Sequence, residues 1–547
     1  MKKKIIWFLS SFILLIFSSF HFYEGNYMIT ATMSRIGVNA GMKILDEGGT
    51  AVDAALSVAL SEIAETDGKF ICYAGIMDLV YYESKTGKIY NMNASYNTIQ
   101  NEINPLTIPA VTYNMVDTLQ NIVDGRTILV PGFMKGLEEA HKKFGKVPLS
   151  NLFENAIEIA EKGTKWDHDD NSNFLRWKNI LTKYPATKSI FTKPDGSFYQ
   201  LGDTFKQPEL ARTLRKISEE GADYMYKGEW AKKFVTVARN AGSKITLKDL
   251  QDYEVIWTNP MHGTYKGYDL YINGEPDLGG PRLIEALNIA EEIKLSEMGH
   301  YSKSPLALST IYQILASTLY SSNLPAYYGD SIDLTANSRT KKETSKQVWE
   351  IWKAENNLNV VPVKKEKNEH TAAIVVVDKF GNVAALIHSI ATPNWGSTGL
   401  FVDGISIPDA ACSRQTLIDK VGPGKKVPTE TVPGLILKDG KPVLGFACIS
   451  GGAVEQTFIS LLNVLDFNMT PQESVEKPGI GDFIFDKDKL CLTLEPKRFS
   501  ESLVSEAEKY NANFYETGSV MSAFWTGLYI DNNTGKLNAT SIWLKKD

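Results

Sequence analysis

The chain is poor in the residues that build metal centres and disulfide scaffolds: 547 residues hold only four cysteines and seven histidines. Cys72, Cys412, Cys448 and Cys491 lie far apart and form no CxxC pair, which excludes a zinc ribbon and a thioredoxin-type motif. Four thiols in so long a chain are no stapling framework, so buried free thiols are expected. No HExxH spacing, P-loop or GxGxxG occurs. Asp167-His168-Asp169-Asp170 superficially resembles a metal cluster, but adjacent residues do not converge on one ion and no calcium-loop spacing is present. A solvated loop at a helix start is the expectation there, with no metal and no cofactor. An excess of positive charge is also missing. The net charge of -6 gives no reason to expect nucleic acid or anionic lipid as a partner. Internal repeats and low-complexity tracts are absent as well.

What is present describes a folded, exported protein. An apolar fraction of 43% and a charged fraction of 22% are ordinary for a globular chain. The length calls for several domains or one large layered one. Lys2, Lys3 and Lys4 precede an apolar run from Ile5 to Phe22. Charge followed by a hydrophobic stretch is the export pattern, so residues 1–26 are expected to be a signal peptide or a membrane anchor. The remainder then lies outside the cytoplasm, and the membrane is met only through this segment.

Periodicity and caps predict helices at Arg35–Ile44, at 51–64 with Thr50 as cap, and at Phe133–Phe144, Leu152–Lys162, Gln207–Glu220 and Trp230–Ala241. Further helices are predicted at Leu247–Tyr253 with Thr246 as cap, Pro281–Ile293, Pro305–Ser321 and about 453–467. A hairpin is predicted from Asp78–Glu83 and Ile89–Asn93. Polar residues 356–370, rich in lysine, predict a flexible segment. The pattern then changes abruptly to the β-branched run Thr371–Val377, a turn at Asp378–Asn382 and a strand at Val383–Ile390. Strands are also predicted at Gly434–Leu437 and Val443–Ile449, with a Ser450-Gly451-Gly452 corner after them. Mixed helices and strands along the whole chain argue for a layered α/β or α+β fold.

Several ordered motifs resemble the γ-glutamyltransferase family. They are GMKILDEGGTAVDAA from Gly41 to Ala55, VPGFMKGL from Val130 to Leu137, EEGAD from Glu219, LKDL from Leu247, GTYKGY from Gly263 and VVVDKFGN from Val375 to Asn382. The resemblance implies an α+β, four-layer αββα Ntn-hydrolase sandwich made as a precursor. That precursor cuts itself at His370-Thr371 into a large subunit (27–370) and a small subunit (371–547) that remain associated. Thr371 then matches the family's nucleophile. Its hydroxyl attacks the preceding carbonyl during maturation, and afterwards the freed α-amino group, titrating near pH ~8, serves as base for the same hydroxyl. Gly451 and Gly452 match the turn whose backbone N–H groups form an oxyanion hole. Ser389 falls where the family has a second threonine beside the nucleophile.

The substrate clamp departs from the pattern. The arginine that grips a glutamyl carboxylate is expected near Ser95, where Asn93-Ala-Ser-Tyr96 has none. The asparagine near the nucleophile is Ala391, the amino-binding aspartate falls at Ser413, and the paired serines are Thr429 and Glu430. A γ-glutamyl group needs fixed opposite charges, usually including a bidentate arginine. Ordinary glutathione hydrolysis is therefore expected to be weak or absent, and the substrate to be another small peptide or acylated amine. Arg414 and Arg282 are candidates to rebuild an anion site, while Tyr96, Trp395 and His388 are candidate pocket walls more often used for packing. Two other readings stand beside this one: a non-catalytic surface binding protein, and a conventional γ-glutamyltransferase whose clamp comes from unaligned residues.

Overall fold

Alternation of small and β-branched residues builds the centre of the molecule. The computed structural model describes residues 27–110, 124–323, 332–354, 371–449, 451–517 and 523–540. Its two principal sheets use twelve strands, six each. In chain order these are β1 (Met28–Ala31), β2 (Ile76–Glu83), β3 (Lys88–Ala94), β4 (Ile256–Thr258), β5 (Met261–Tyr265), β6 (Tyr268–Ile272), β7 (Thr371–Val377), β8 (Val383–Ser389), β9 (Gly434–Lys438), β10 (Lys441–Ile449), β11 (Phe524–Ile530) and β12 (Leu537–Ala539). The first sheet runs β1-β7-β8-β2-β3-β4 and the second β12-β11-β10-β9-β6-β5, antiparallel throughout.

Period two assigns every side chain of the central strands to one of two apolar layers. Ala373, Val375, Val377, Val383, Ala385 and Ile387 meet Leu435, Leu437, Ala447 and Ile449 between the sheets. Ala372, Ile374, Val376, Ala384 and Leu386 face the other way. They pack under helices α1 (Arg35–Asp46), α2 (Ala51–Glu65), α3 (Phe133–Phe144), α4 (Leu149–Lys162) and α5 (Pro208–Glu220). On the second sheet Ile436, Leu444, Phe446 and Cys448 pack under α6 (Gly279–Glu292), α7 (Pro305–Asn323), α8 (Lys342–Ala354) and α9 (Ala453–Leu465). Helix, sheet, sheet, helix is the expected four-layer order. Burial of each such valine, leucine or isoleucine is worth about 1.5–3 kcal/mol, so most of the stability sits in these layers.

The helix starts follow their caps. Thr50 and Asp53 form a reciprocal capping box at α2, and Asp378 in the β7–β8 turn accepts from Ala51 N at 2.8 Å, tying helix to sheet. α2 is buried along its whole length, its polar residues Asp53, Ser57, Ser61, Glu62 and Glu65 included. The expected segments at 1–26 and 356–370, and His370 itself, lie outside the described residues. Among those described, no helix is long and apolar enough to cross a membrane. The four cysteines are buried and unbridged, as anticipated.

One sequence expectation is corrected. Asp167-His168-Asp169-Asp170 is the expected helix start, but it is the first turn itself and not a solvated loop. Asp167 caps the helix His168–Leu181 in a capping box with Asp170, and Asp170 is buried in an ion pair with Lys69. Asp169 lies 3.2 Å from the same ammonium. The three carboxylates do converge, and Lys69, paired with Asp169 and Asp170, supplies a charge that offsets the burial of Asp170.

Candidate active site

Thr371 opens β7 and Ser389 closes β8, and the antiparallel register sets them opposite one another. Thr371 Oγ1 donates to Ser389 Oγ at 3.1 Å, and Ser389 Oγ accepts from Ala391 N at 2.9 Å. Both side chains are buried, so the two hydroxyls sit in a fixed relay. The backbone around Ser389 is tightly seated. A Cβ on Gly75 would lie 2.4 Å from the Ser389 carbonyl oxygen, so only glycine lets the β2 entry loop pass. Gly75 O in turn accepts from Gly132 N and Phe133 N, both at 2.9 Å, anchoring the VPG segment to the same corner.

The Gly451-Gly452 corner closes the other side. Thr431 Oγ1 donates to Asp78 Oδ2 at 2.8 Å, bridging the sheets. Asp78 is paired with Ile387, two residues inward from Ser389. Thr431 just precedes β9, whose Gly434 pairs with Phe446, so the Ile449 end of β10 and the corner beyond it lie at the Thr371 end of the sandwich. Gly452 has φ +83, and a Cβ there would meet the Gly481 and Asp482 backbone at 2.6 Å. Glycine is thus required at the start of α9.

The expected substrate-binding residues fall in two groups. Ser95 and Thr429 belong to one hydrogen-bonded network. Asn93 Nδ2 donates to Ser95 Oγ at 3.2 Å and to Asp277 Oδ2 at 2.8 Å. Thr429 N and Oγ1 donate to Asp277 Oδ1 at 2.9 and 2.8 Å. Lys426 Nζ lies 3.4 Å from Ser95 O and 3.5 Å from the Tyr253 ring centroid. Burial pulls this lysine down to about 6, burial and then repulsion from Asp277 push Asp78 well above its ordinary value, and burial raises Asp277. Ser413 and Arg414 belong elsewhere. Arg414 Nη1 donates to Ala391 O, to Ala410 O at 3.1 Å and weakly to Ser413 Oγ at 3.4 Å. That Nη1 braces the loop after Ser389, at Ala391 with its positive φ of 52.

Glu430 is half-exposed and close enough to Arg282 to favour its charge. Arg282 itself is neither at the surface nor an open anion site: it is buried and ion-paired with Glu455 in the first turn of α9. Tyr96 donates to Ile390 O at 3.1 Å, and Trp395 Nε1 to Asp67 O at 2.9 Å within an aromatic cluster, so both pack. Asp78, Asp277, Lys426 and Glu455 were not anticipated as site residues. The one local signal was a charged Asp78 within the otherwise apolar Ile76–Val80 run.

His388 points away from Ser389 into the helix layer, with Nε2 3.3 Å from Glu62 of α2. Burial lowers this histidine to about 3 and raises Glu62 well above the ordinary carboxylate range, so the pair is neutral. The folded Glu62 holds its proton above the unfolded pKa, so its stabilisation is complete below about pH 4.5 and is lost as pH rises toward the folded value. Relative to wild type, Glu62→Gln should gain stability between pH 5 and pH 8. Urea melts at both pH values check this; an unchanged difference would place a full charge on Glu62.

With this geometry in place, comparison with known proteins is informative. The family described as Gamma-glutamyltranspeptidase matches residues 37–541. A glutathione hydrolase proenzyme of Bacillus subtilis (strain 168) is 27% identical over 83% of this chain and 80% of its own. The capsule biosynthesis protein CapD proenzyme of Bacillus anthracis is 26% identical over 80% of this chain and 75% of its own. The crystal structure of cephalosporin acylase from Bacillus halodurans superposes with a TM-score of 0.76 at 18% identity, over 94% of both chains, and shows the shared fold.

Proposed function

Since the chain belongs to the γ-glutamyltranspeptidase family, and is thereby an enzyme of the Ntn amidohydrolase and acyltransferase type, we propose that it matures by cutting itself at His370-Thr371. The freed Thr371 then attacks an amide carbonyl, with its own α-amino group as base, Ser389 holding the hydroxyl and the Gly451-Gly452 corner receiving the oxyanion. Water or an amine releases the acyl group from Thr371. The observation that carries this reading is the 3.1 Å contact between the Thr371 and Ser389 hydroxyls at the open end of the two central strands.

The acyl group is not the γ-glutamyl group of glutathione. No arginine stands at Ser95, Arg414 Nη1 is engaged by the Ala391 and Ala410 carbonyls, and Glu430 would repel a carboxylate. The lysine cluster and apolar run before Phe22 support export, with the catalytic body outside the cytoplasm and any membrane contact confined to residues 1–26. The relatives are proenzymes, which supports two associated subunits here. Intact mass and N-terminal sequencing of the chain expressed from Tyr27 test the proposal. Two fragments are expected, the smaller beginning Thr371-Ala372-Ala373. A folded chain that stays whole after long incubation would sink it and favour a binding protein.

A further inference from the structure

We infer that Arg282 is a positioning residue that fixes the Gly451-Gly452 corner relative to Thr371 and Ser389; this rests on the acyl-Thr371 reading, in which the corner receives the oxyanion. The start of α6, which carries Arg282, is firmly seated. A Cβ on Gly279 would lie 2.3 Å from Thr431 O and 2.7 Å from Glu430 O, and one on Gly280 2.0 Å from Asn273 O. Leu278 N donates to Thr429 O at 2.8 Å. The helix start is thus pressed onto the backbone that leads into β9. Thr431 Oγ1 carries the connection on to Asp78 of β2. β2 in turn pairs with β8, Ile76 opposite Ser389. Arg282 therefore stands on a base tied to the sheet that holds the nucleophile.

From that base the guanidinium reaches the far side of the corner. Its Nη2 donates to Glu455 Oε1, and both side chains are buried. Glu455 lies in the first turn of α9, whose N-cap is Gly452. Glu430 and Asp482 also favour the Arg282 charge. The three carboxylates come from three elements around the corner. Glu430 lies in the lead-in to β9, Glu455 in α9, and Asp482 in the strand Ile480–Asp486. The Gly481 and Asp482 backbone of that strand is what a Cβ on Gly452 would meet. One rigid, forked cation facing all three sets direction as well as distance. Apolar groups of like size often replace a buried ion pair at no cost in stability. Position is then what the pair contributes, and an oxyanion donor depends on it, since it must stand about 2.7–3.1 Å from the developing charge.

The test compares the wild type with Arg282→Lys and with the paired variant Arg282→Met/Glu455→Met. Each is read by its urea melt and by kcat and KM on whichever 4-nitroanilide the wild type cleaves fastest: acetyl, glutaryl, γ-glutamyl or phenylacetyl. The paired variant removes both charges of the pair and should melt as the wild type does. Its kcat should nevertheless fall by about thirtyfold, with KM held within about threefold. Arg282→Lys keeps the charge without the fork and should fall between the two in kcat. An unchanged kcat in the folded paired variant overturns the inference. So does a higher KM at unchanged kcat, which would make Arg282 Nε and Nη1, unpartnered among the described residues, contacts to the substrate. Should the paired variant fail to fold, the same split in Arg282→Lys decides. These outcomes leave the acyl-Thr371 reading standing, because the wild type is active in all of them. A wild type that cleaves no anilide counts against that reading itself and takes the inference with it.

Discussion

Thr371→Ala is expected to leave one uncut chain and to lower amide turnover by on the order of 10^4-fold or more, while the fold melts as the wild type does. The separation of chemistry from stability follows from the geometry. Thr371 stands at the very start of β7, and the strand behind it is held by others: Thr32 N donates to Ala373 O and Ala373 N to Thr32 Oγ1, each at 3.0 Å. Alanine removes a hydroxyl and a methyl and leaves that ladder intact. Thr371→Ser keeps the attacking oxygen and its partner Ser389, so self-cleavage should persist, slowed about tenfold by the looser rotamer. Ser389→Ala should lie between the two. It removes one hydrogen bond from the nucleophile and orphans the Ala391 N–H, which predicts a ten- to hundredfold loss in kcat. Mass spectrometry of each variant, beside its melting curve, orders the series. Turnover retained in a folded Thr371→Ala protein would move the nucleophile elsewhere.

The layers were legible in the sequence because burial repeats locally. Thr371–Val377 and Val383–Ser389 are apolar on both faces, as strands covered by a sheet on one side and helices on the other must be. Thr50, Thr246 and their aspartates three residues on announced their helices by capping chemistry. Less visible were elements whose pattern is weak when read alone. The hairpin of β5 and β6 and the helix Lys342–Ala354 were not anticipated, nor the hairpin Ile480–Asp486 and Lys489–Leu494. The site divides the same way. Thr371, Ser389 and the glycine corner follow from motif and register. The Asp78–Asp277–Lys426 network joins residues up to 348 positions apart in the chain, and Arg282 meets Glu455 across two helix starts. Such pairs carry no local signature, since each is only a charged residue in an apolar setting until the sheets stack. Arg414 shows the converse: a charge suited to a ligand turned out to hold a strained loop.

Gly132→Ala should destabilise the protein by more than about 3 kcal/mol. The reason is room and not backbone conformation, for the Gly132 φ of -117 suits any residue. A Cβ there would lie 2.0 Å from Ala94 O and 2.1 Å from Tyr253 Oη. The first is backbone at the end of β3. The second belongs to a hydroxyl that donates to Ser95 O at 2.7 Å and so holds the wall beside Lys426. Neither atom can yield without opening the β3 edge or the Gly75 loop, whose carbonyl receives the Gly132 N–H. Because that loop backs Ser389, part of the damage should reach the nucleophile, and self-cleavage should slow in whatever fraction folds. Gly196→Ala supplies the control. Its φ is +85 with nothing within 4 Å of the added carbon, so only the left-handed penalty of about 1 kcal/mol applies. Urea denaturation of both variants, read beside the rate of self-cleavage, tests the distinction. Equal losses in the two would mean that the β3 edge relaxes freely around Gly132, and that the coupling between the VPG segment and Ser389 is too soft to set the active-site geometry.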